Sequence, residues 1–205
     1  MKIIIMGGFL GSGKTTVLLQ LAKYIIMQPG SPSVVILENE IGEVGVDNQL
    51  LSGASFSVEN IFSGCICCSG AVDLVEGVKK IARDYAPDWL LIEATGMALP
   101  STIKETLSQH FSYDFATLSI ADGSRWTRLL KVSPDFVDAQ VSCADMVIVT
   151  KVDKLKDGVD AVVADIKSHA KDAELFPLCA LEPIDERIFA GFLPKCSDRR
   201  RKSIY

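Results

Sequence analysis

One stretch near the start of the chain limits its folding choices more than any other: Gly8-Phe9-Leu10-Gly11-Ser12-Gly13-Lys14-Thr15. It follows an apolar run, Ile3–Met6, and leads into Lys14–Ile26, which has helical periodicity. Strand, glycine turn and helix form the context in which this spacing of glycines, lysine and hydroxyl wraps a phosphate. The glycines let the backbone curl so that N–H groups face phosphate oxygens, and the helix N-terminus adds partial positive charge. Gly8, Gly11, Ser12, Gly13, Lys14, Thr15 and Thr16 are the candidate phosphate-binding residues. Lys14 is expected to reach the β- and γ-phosphates, and Thr15 to ligate Mg²⁺. A glycine-rich turn without a ligand is the alternative.

The rest of the chain repeats the alternation that the motif begins. Apolar runs at Val34–Leu37, Trp89–Ile92, Phe115–Ala121, Met146–Val149 and Leu175–Leu178 read as strands, several of them apolar throughout. Strands buried on both faces of a parallel sheet need that composition. Helices are expected at Lys14–Ile26, Ala71–Tyr85, Ser101–Gln109, Arg125–Val132 and Val159–Ala170. The expected fold is therefore α/β, with a mostly parallel central sheet flanked by helices. The 205 residues suit one domain, expected over 1–194, with a basic tail at 195–205. The polar segment from Asn39 to Gly53 is expected to be a mobile loop.

Charge and hydropathy exclude several function classes. The net charge of −5 and a pI near 5.1 give no electrostatic case for nucleic acid. Arg199-Arg200-Arg201-Lys202 reads as a solvated terminus. No apolar run approaches the ~18 residues of a membrane span, and the N-terminal run is too short for a signal core. A cytosolic protein is expected, in which thiols stay reduced and cysteines serve as ligands, redox groups or core fillers.

Two further strand ends carry chemistry. Trp89-Leu90-Leu91-Ile92 leads into Glu93, placing a carboxylate where α/β sheets bind ligands. Glu93 would hold Mg²⁺ through water or orient an attacking water; an ordinary strand-end glutamate is the alternative. Gly96 would offer its N–H to the γ-phosphate without a side chain in the way. Thr150-Lys151-Val152-Asp153 resembles the Asn-Lys-x-Asp element of GTPases, with Thr150 in the Asn position. Asp153 would accept hydrogen bonds from guanine N1–H and the exocyclic amine, and Lys151 would lie along the base plane. Cys179-Ala180-Leu181 resembles the Ser-Ala element that backs the base, with Ala180 as its backbone donor.

Carboxylates and thiols cluster after the second expected strand. Glu38, Glu40, Glu43 and Asp47 fall within ten residues, read either as a switch segment or as a solvated acidic loop. As a switch, Asp47 and one of Glu38 or Glu40 would stand near Mg²⁺ or its waters. Gly64-Cys65-Ile66-Cys67-Cys68 then gathers three of the six cysteines into four positions. Three thiolates suit a transition metal but do not close a tetrahedral structural site, which takes four protein ligands. An open position suits a carrier; water, Glu38, Glu40 or a second subunit would supply the fourth ligand. A redox pair, Cys65 with Cys68, or simple packing are the other readings.

Four motifs in this order, the phosphate loop, Glu38–Asp47, Gly64–Cys68 and Glu93-Ala94-Thr95-Gly96, are together similar to the CobW family of GTPases, relatives of the HypB and UreG metallochaperones. The resemblance covers about residues 1–180. It implies a SIMIBI-type P-loop NTPase domain and an Mg²⁺-dependent GTPase cycling between GTP and GDP. It further implies a transition metal on the cysteine motif (Zn²⁺, with Co²⁺ or Ni²⁺ as alternatives), passed to a client metalloprotein or cofactor pathway. A nucleotide-dependent homodimer is plausible on the same ground. Thr150 departs from the base element, the C-terminal domain of typical members is expected to be absent, and the 205 residues hold no histidine-rich stretch. The competing readings are a GTPase switch for client assembly without metal transfer and a small-molecule kinase, for which Arg125 or Arg128 would serve as lid arginines.

Overall fold

A computed structural model describes residues 1–38, 56–60, 71–95, 97–155 and 158–193. Seven strands form one sheet: β1 (Lys2–Gly8), β2 (Val34–Glu38), β3 (Phe56–Asn60), β4 (Trp89–Glu93), β5 (Asp114–Asp122), β6 (Met146–Thr150) and β7 (Glu174–Pro177). Their order is β3-β2-β4-β1-β5-β6-β7, and every pair is parallel. The described helices are α1 (Lys14–Ile26), α2 (Ala71–Asp84), α3 (Pro100–His110), α4 (Trp126–Val132), α5 (Pro134–Val141), α6 (Val159–His169) and α7 (Glu186–Phe192), with a 3₁₀ turn at Val152–Lys154.

Side-chain alternation in the central strands builds two opposed cores. From β1, Ile4 and Met6 pack with Val17, Leu18, Leu21 and Ile25 of α1 and with Phe189 and Phe192 of α7. Ile3 and Ile5 face the other way, onto Leu74, Val78 and Ile81 of α2 and Ile103 and Leu107 of α3. A third cluster joins β6 to α5 and α6 through Val147, Val149, Val137, Val141 and Ile166. The expected α/β fold with a flanked parallel sheet is what forms.

Three elements were not expected from the sequence: β3, α5 and α7. Three of the five residues in Phe56-Ser57-Val58-Glu59-Asn60 are polar, as an edge strand allows, and the two helices have eight and seven residues. Helices that short depend on burial and capping. Asp185 caps α7 by accepting from the Arg187 N–H at 2.9 Å, and Arg187 also holds that carboxyl down at about 2.

Parallel strands bring all their C-terminal ends to one edge, and the register aligns four of them across the site. Met6 pairs with Glu93, Gly8 with Ile120, and Asp122 with Thr150. The strand order reverses direction around β1, so ligand binding belongs in the crevice beyond its C-terminal end. A Cβ at Gly7 would overlap the ring of Pro100, the first residue of α3, so glycine there lets α3 close against the crevice wall.

Candidate functional site

The loop between β1 and α1 owes its shape to contacts on its outer side. Gly8 has φ 141°, and a Cβ there would collide with the carbonyl oxygen of Ile120. Gly13 caps α1 with φ 96°, against Thr150 and Ala180. Between these glycines, three successive carbonyls each accept from a different side chain. Arg125 Nη2 donates to Leu10 O at 2.7 Å, Lys151 Nζ to Gly11 O at 2.5 Å, and Thr150 Oγ1 to Ser12 O at 2.7 Å. A planar trans peptide turns its C=O and N–H to opposite sides. Pinning these oxygens therefore orients the N–H groups of Gly11, Ser12 and Gly13 away from the three donors. The Ser12 N–H closes the turn onto Phe9 O at 3.0 Å. Ser12 Oγ is buried with no hydrogen-bond partner among the described residues, a donor in reserve within the loop.

Lys14 and Thr15 open α1 and meet Glu93 at the end of β4. Thr15 Oγ1 donates to both carboxylate oxygens of Glu93, at 3.0 and 3.1 Å. Lys14 Nζ lies 3.9 Å from Glu93 Oε1 and 3.4 Å from Phe9 O. Both charged side chains are about 5% exposed, so each compensates a charge whose isolated burial would be costly. A hydroxyl and a carboxylate converging on one point are hard oxygen donors of the kind Mg²⁺ takes; Thr15 would ligate the ion, and Glu93 would reach it through water or orient an attacking water. Thr16 follows on α1 and is half-buried.

The residues expected to meet the base are positioned by the ends of β6 and β7 and by α1. Thr150 is fully buried, and its hydroxyl reaches the phosphate loop and also Ala121 O at 3.3 Å. The departure from Asn thus retains a donor to the phosphate loop. Lys151 takes a left-handed backbone (φ 57°), which aims its ammonium back across the loop. Asp153 stands exposed in the 3₁₀ turn. Ala180 is held by Gln20 of α1, whose amide donates to Ala180 O at 2.9 Å and accepts from Ile184 N at 2.8 Å.

Asp122, at the end of β5, is the main participant absent from the sequence reading. Its side chain is fully buried. Oδ1 accepts from Ser124 N at 3.1 Å and Ser124 Oγ at 2.6 Å; Oδ2 accepts from Arg125 Nε at 2.6 Å and Lys151 Nζ at 2.8 Å. Burial pushes the carboxyl up, but the hydrogen bonds from Lys151, Ser124 and Arg125 outweigh it and hold Asp122 below the usual carboxylate range. The signal was the one that singled out Glu93, a carboxylate closing an apolar strand. It was missed because the strand was expected to end at Ala121. Arg125, a candidate lid arginine, is committed to Asp122 and Leu10; Gln20 gave no sequence signal.

Several candidates lie outside the described residues: Gly96, Glu40, Asp47, Cys65, Cys67 and Cys68, with the Asn39–Gly53 loop and the 195–205 tail. Glu38 enters through its backbone position alone. That position is informative, since Glu38 is the register partner of both Glu93 and Asn60. At ~4.8 Å per strand spacing, Asn60 stands roughly 10 Å from Glu93 along the sheet edge. The segment carrying the three cysteines leaves β3 from this row and returns at α2. Among the described residues, no group of three or more His, Cys, Asp or Glu is placed to hold a metal ion. Cys143 is exposed, and Cys179 is half-buried. His169 Nδ1 meets Asp138 Oδ1 at 2.9 Å, which makes it a surface pairing residue. No described helix is long and apolar enough to cross a membrane.

A glycine loop pinned from outside, opening onto a helix N-terminus, a buried lysine and a hydroxyl–carboxylate pair, defines a P-loop nucleotide-binding domain. The family described as CobW/HypB/UreG, nucleotide-binding domain, matches residues 2–177, and the chain belongs to it. Two curated relatives are from Escherichia coli. The zinc chaperone YeiR is 33% identical over 151 residues, covering 72% of this chain and 45% of its own. The zinc chaperone YjiA is 31% identical over 164 residues, covering 74% and 49%. The chain thus spans about half the length of the curated relatives it matches. Among solved structures, the hydrogenase maturation factor HypB from Archaeoglobus fulgidus shares the fold, with a TM-score of 0.67 and 18% identity over 94% of this chain and 88% of that one.

Proposed function

We propose that this domain binds GTP with Mg²⁺, hydrolyses it slowly, and uses the nucleotide state to control a transition metal carried by Cys65, Cys67 and Cys68. The observation that carries the reading is the Thr15–Glu93 pair, set in the same strand-edge row as the backbone of Glu38 and Asn60. In this reading the phosphate end of the nucleotide would lie about 10 Å from Asn60, after which the cysteine segment begins.

The proposed chemistry assigns each residue a task. Lys14 neutralises β- and γ-phosphate charge, and the loop N–H groups fix the phosphates in place. Bound Mg²⁺ would supply charge neutralisation between those phosphates. Thr15 would turn its hydroxyl oxygen to the ion, while Glu93 orients a water toward the γ-phosphorus and accepts its proton. Gly96 adds a backbone N–H to the γ-phosphate, and Asp153 selects guanine while Lys151 and Ala180 hold the base. Glu38, Glu40 and Asp47 form the switch, and loss of the γ-phosphate releases it.

The metal is the cargo. Zn²⁺ is the first candidate because relatives of this chain are named zinc chaperones; thiolates take Co²⁺ and Ni²⁺ as well. The recipient is a client metalloprotein or cofactor-inserting machinery, reached in a cytosolic setting that keeps the thiols reduced. Metal affinity measured with GDP and with a non-hydrolysable GTP analogue tests the coupling. Affinities that differ by about 10-fold or more support it, and equal affinities overturn it. Cys67→Ser should lose the metal and keep the nucleotide.

A further inference from the structure

Asp122 lies outside the motif-bearing residues, yet it organises two of the three side chains that pin the phosphate loop. Both cations land on a single oxygen, Oδ2, at 2.6 Å from Arg125 Nε and 2.8 Å from Lys151 Nζ. Both then reach forward to consecutive loop carbonyls, Leu10 O and Gly11 O. The other oxygen is filled by Ser124, so the carboxylate has four donors and no rotational freedom. We propose that Asp122 is the positioning residue of this nucleotide site, holding Arg125 and Lys151 in the geometry that fixes the N–H groups of the phosphate loop.

Electrostatics supports the assignment. An ammonium and a guanidinium sharing one small region repel, and in a partly buried site the repulsion is several times that in water. The Asp122 charge turns that repulsion into a triad with two attractive contacts. The left-handed backbone of Lys151 is disfavoured for a non-glycine residue and persists where its surroundings over-determine it. The ammonium, anchored on both Asp122 and Gly11, provides that determination. Arg125 has a similar double anchor, so its place is structural support outside the loop, with no part in an acceptor lid.

The inference rests on the reading of the loop as a nucleotide site, and its test needs neither a transition metal nor a client. Dissociation constants for fluorescent GDP and GTP analogues would be measured for the wild type, Asp122→Ala, Asp122→Asn, Arg125→Ala/Lys151→Met, and that double variant combined with Asp122→Ala. Charge-assisted hydrogen bonds of this kind predict that Asp122→Ala weakens binding by about 10-fold or more. In the Arg125→Ala/Lys151→Met background the same substitution should change affinity by less than about 2-fold, because the groups it positions are gone. A residue that merely supports the fold would cost as much in either background, and that result overturns the proposal, as does wild-type affinity in Asp122→Ala. If Asp122→Ala fails to fold, the near-isosteric Asp122→Asn serves in both backgrounds. A wild type that binds neither guanine nor adenine nucleotides would instead sink the nucleotide-site reading itself. Adenine binding alone would remove only the guanine assignment and leave the cycle measurable with ATP.

Discussion

Thr15 Oγ1 donates to both carboxylate oxygens of Glu93, at 3.0 and 3.1 Å, and so joins the start of α1 to the end of β4 across 78 residues of sequence. The contact links the first phosphate-binding turn to the strand that precedes Gly96. Any change at one side of this pair is felt at the other. It also places an acceptor carboxylate beside the hydroxyl expected to ligate Mg²⁺, so binding and hydrolysis can be separated by substitution.

Glu93→Gln keeps the shape and removes the charge. GTP hydrolysis should fall by about 100-fold or more, the scale of a lost general base or water-orienting group. The affinity for GDP should change only a few-fold, because GDP lacks the γ-phosphate beside which this carboxylate acts in the proposed mechanism. Single-turnover hydrolysis with a parallel binding titration checks both halves. Unchanged turnover would remove Glu93 from the mechanism.

Asp153→Asn tests the base. The Asp153 carboxylate accepts from the guanine exocyclic amine in the proposed pose; an amide in its place can donate to the corresponding oxygen of xanthine. Competition titrations should show guanine affinity falling by about 100-fold and xanthine affinity rising, since a site built for a polar partner rejects an analogue that leaves groups unpaired. Equal losses for both bases would place Asp153 outside base recognition.

Thr150→Val isolates the hydroxyl that stands in the Asn position. The substitution keeps the branched shape at a fully buried site and removes the donor to Ser12 O. A buried carbonyl left without its partner costs about 1–3 kcal/mol. The melting temperature should fall and GDP affinity should weaken, because the Gly13 N–H shares its peptide with that carbonyl. A variant unchanged in both would show that Thr150 is a packing residue.

Most of the fold was legible in the sequence, and the reason differs from element to element. Buried parallel strands such as the one over Met146–Val149 are apolar throughout that run, so they stood out. α7 did not, because its stability comes from Phe189 and Phe192 closing over α1 and from the Asp185 cap. The phosphate loop was legible in composition but not in support. Glycine spacing reveals which N–H groups can face a phosphate, whereas the donors that orient them, Arg125 after β5 with Thr150 and Lys151 at the end of β6, meet only in three dimensions. Asp122 was passed over because the strand was expected to end at Ala121, and its role as a hub shows only in three dimensions, where Arg125 and Lys151 share one oxygen.

The Asp122 network also fixes a pH dependence. Its carboxyl is held below the usual range in the folded protein, while in the unfolded chain it returns to about 3.9. The unfolded state therefore binds the proton first as pH falls. Asp122 contributes its full stabilisation above about pH 4, and that contribution is lost progressively as pH drops below 3.9 through the lower folded value. Asp122→Asn removes the titrating group. Its destabilisation relative to the wild type should be largest near neutral pH, constant down to about pH 5, and should shrink as pH falls below about 4. Denaturant unfolding of both proteins across that range measures the gap directly. A gap that stays constant to pH 2 would show that the loss comes from geometry and not from the charge.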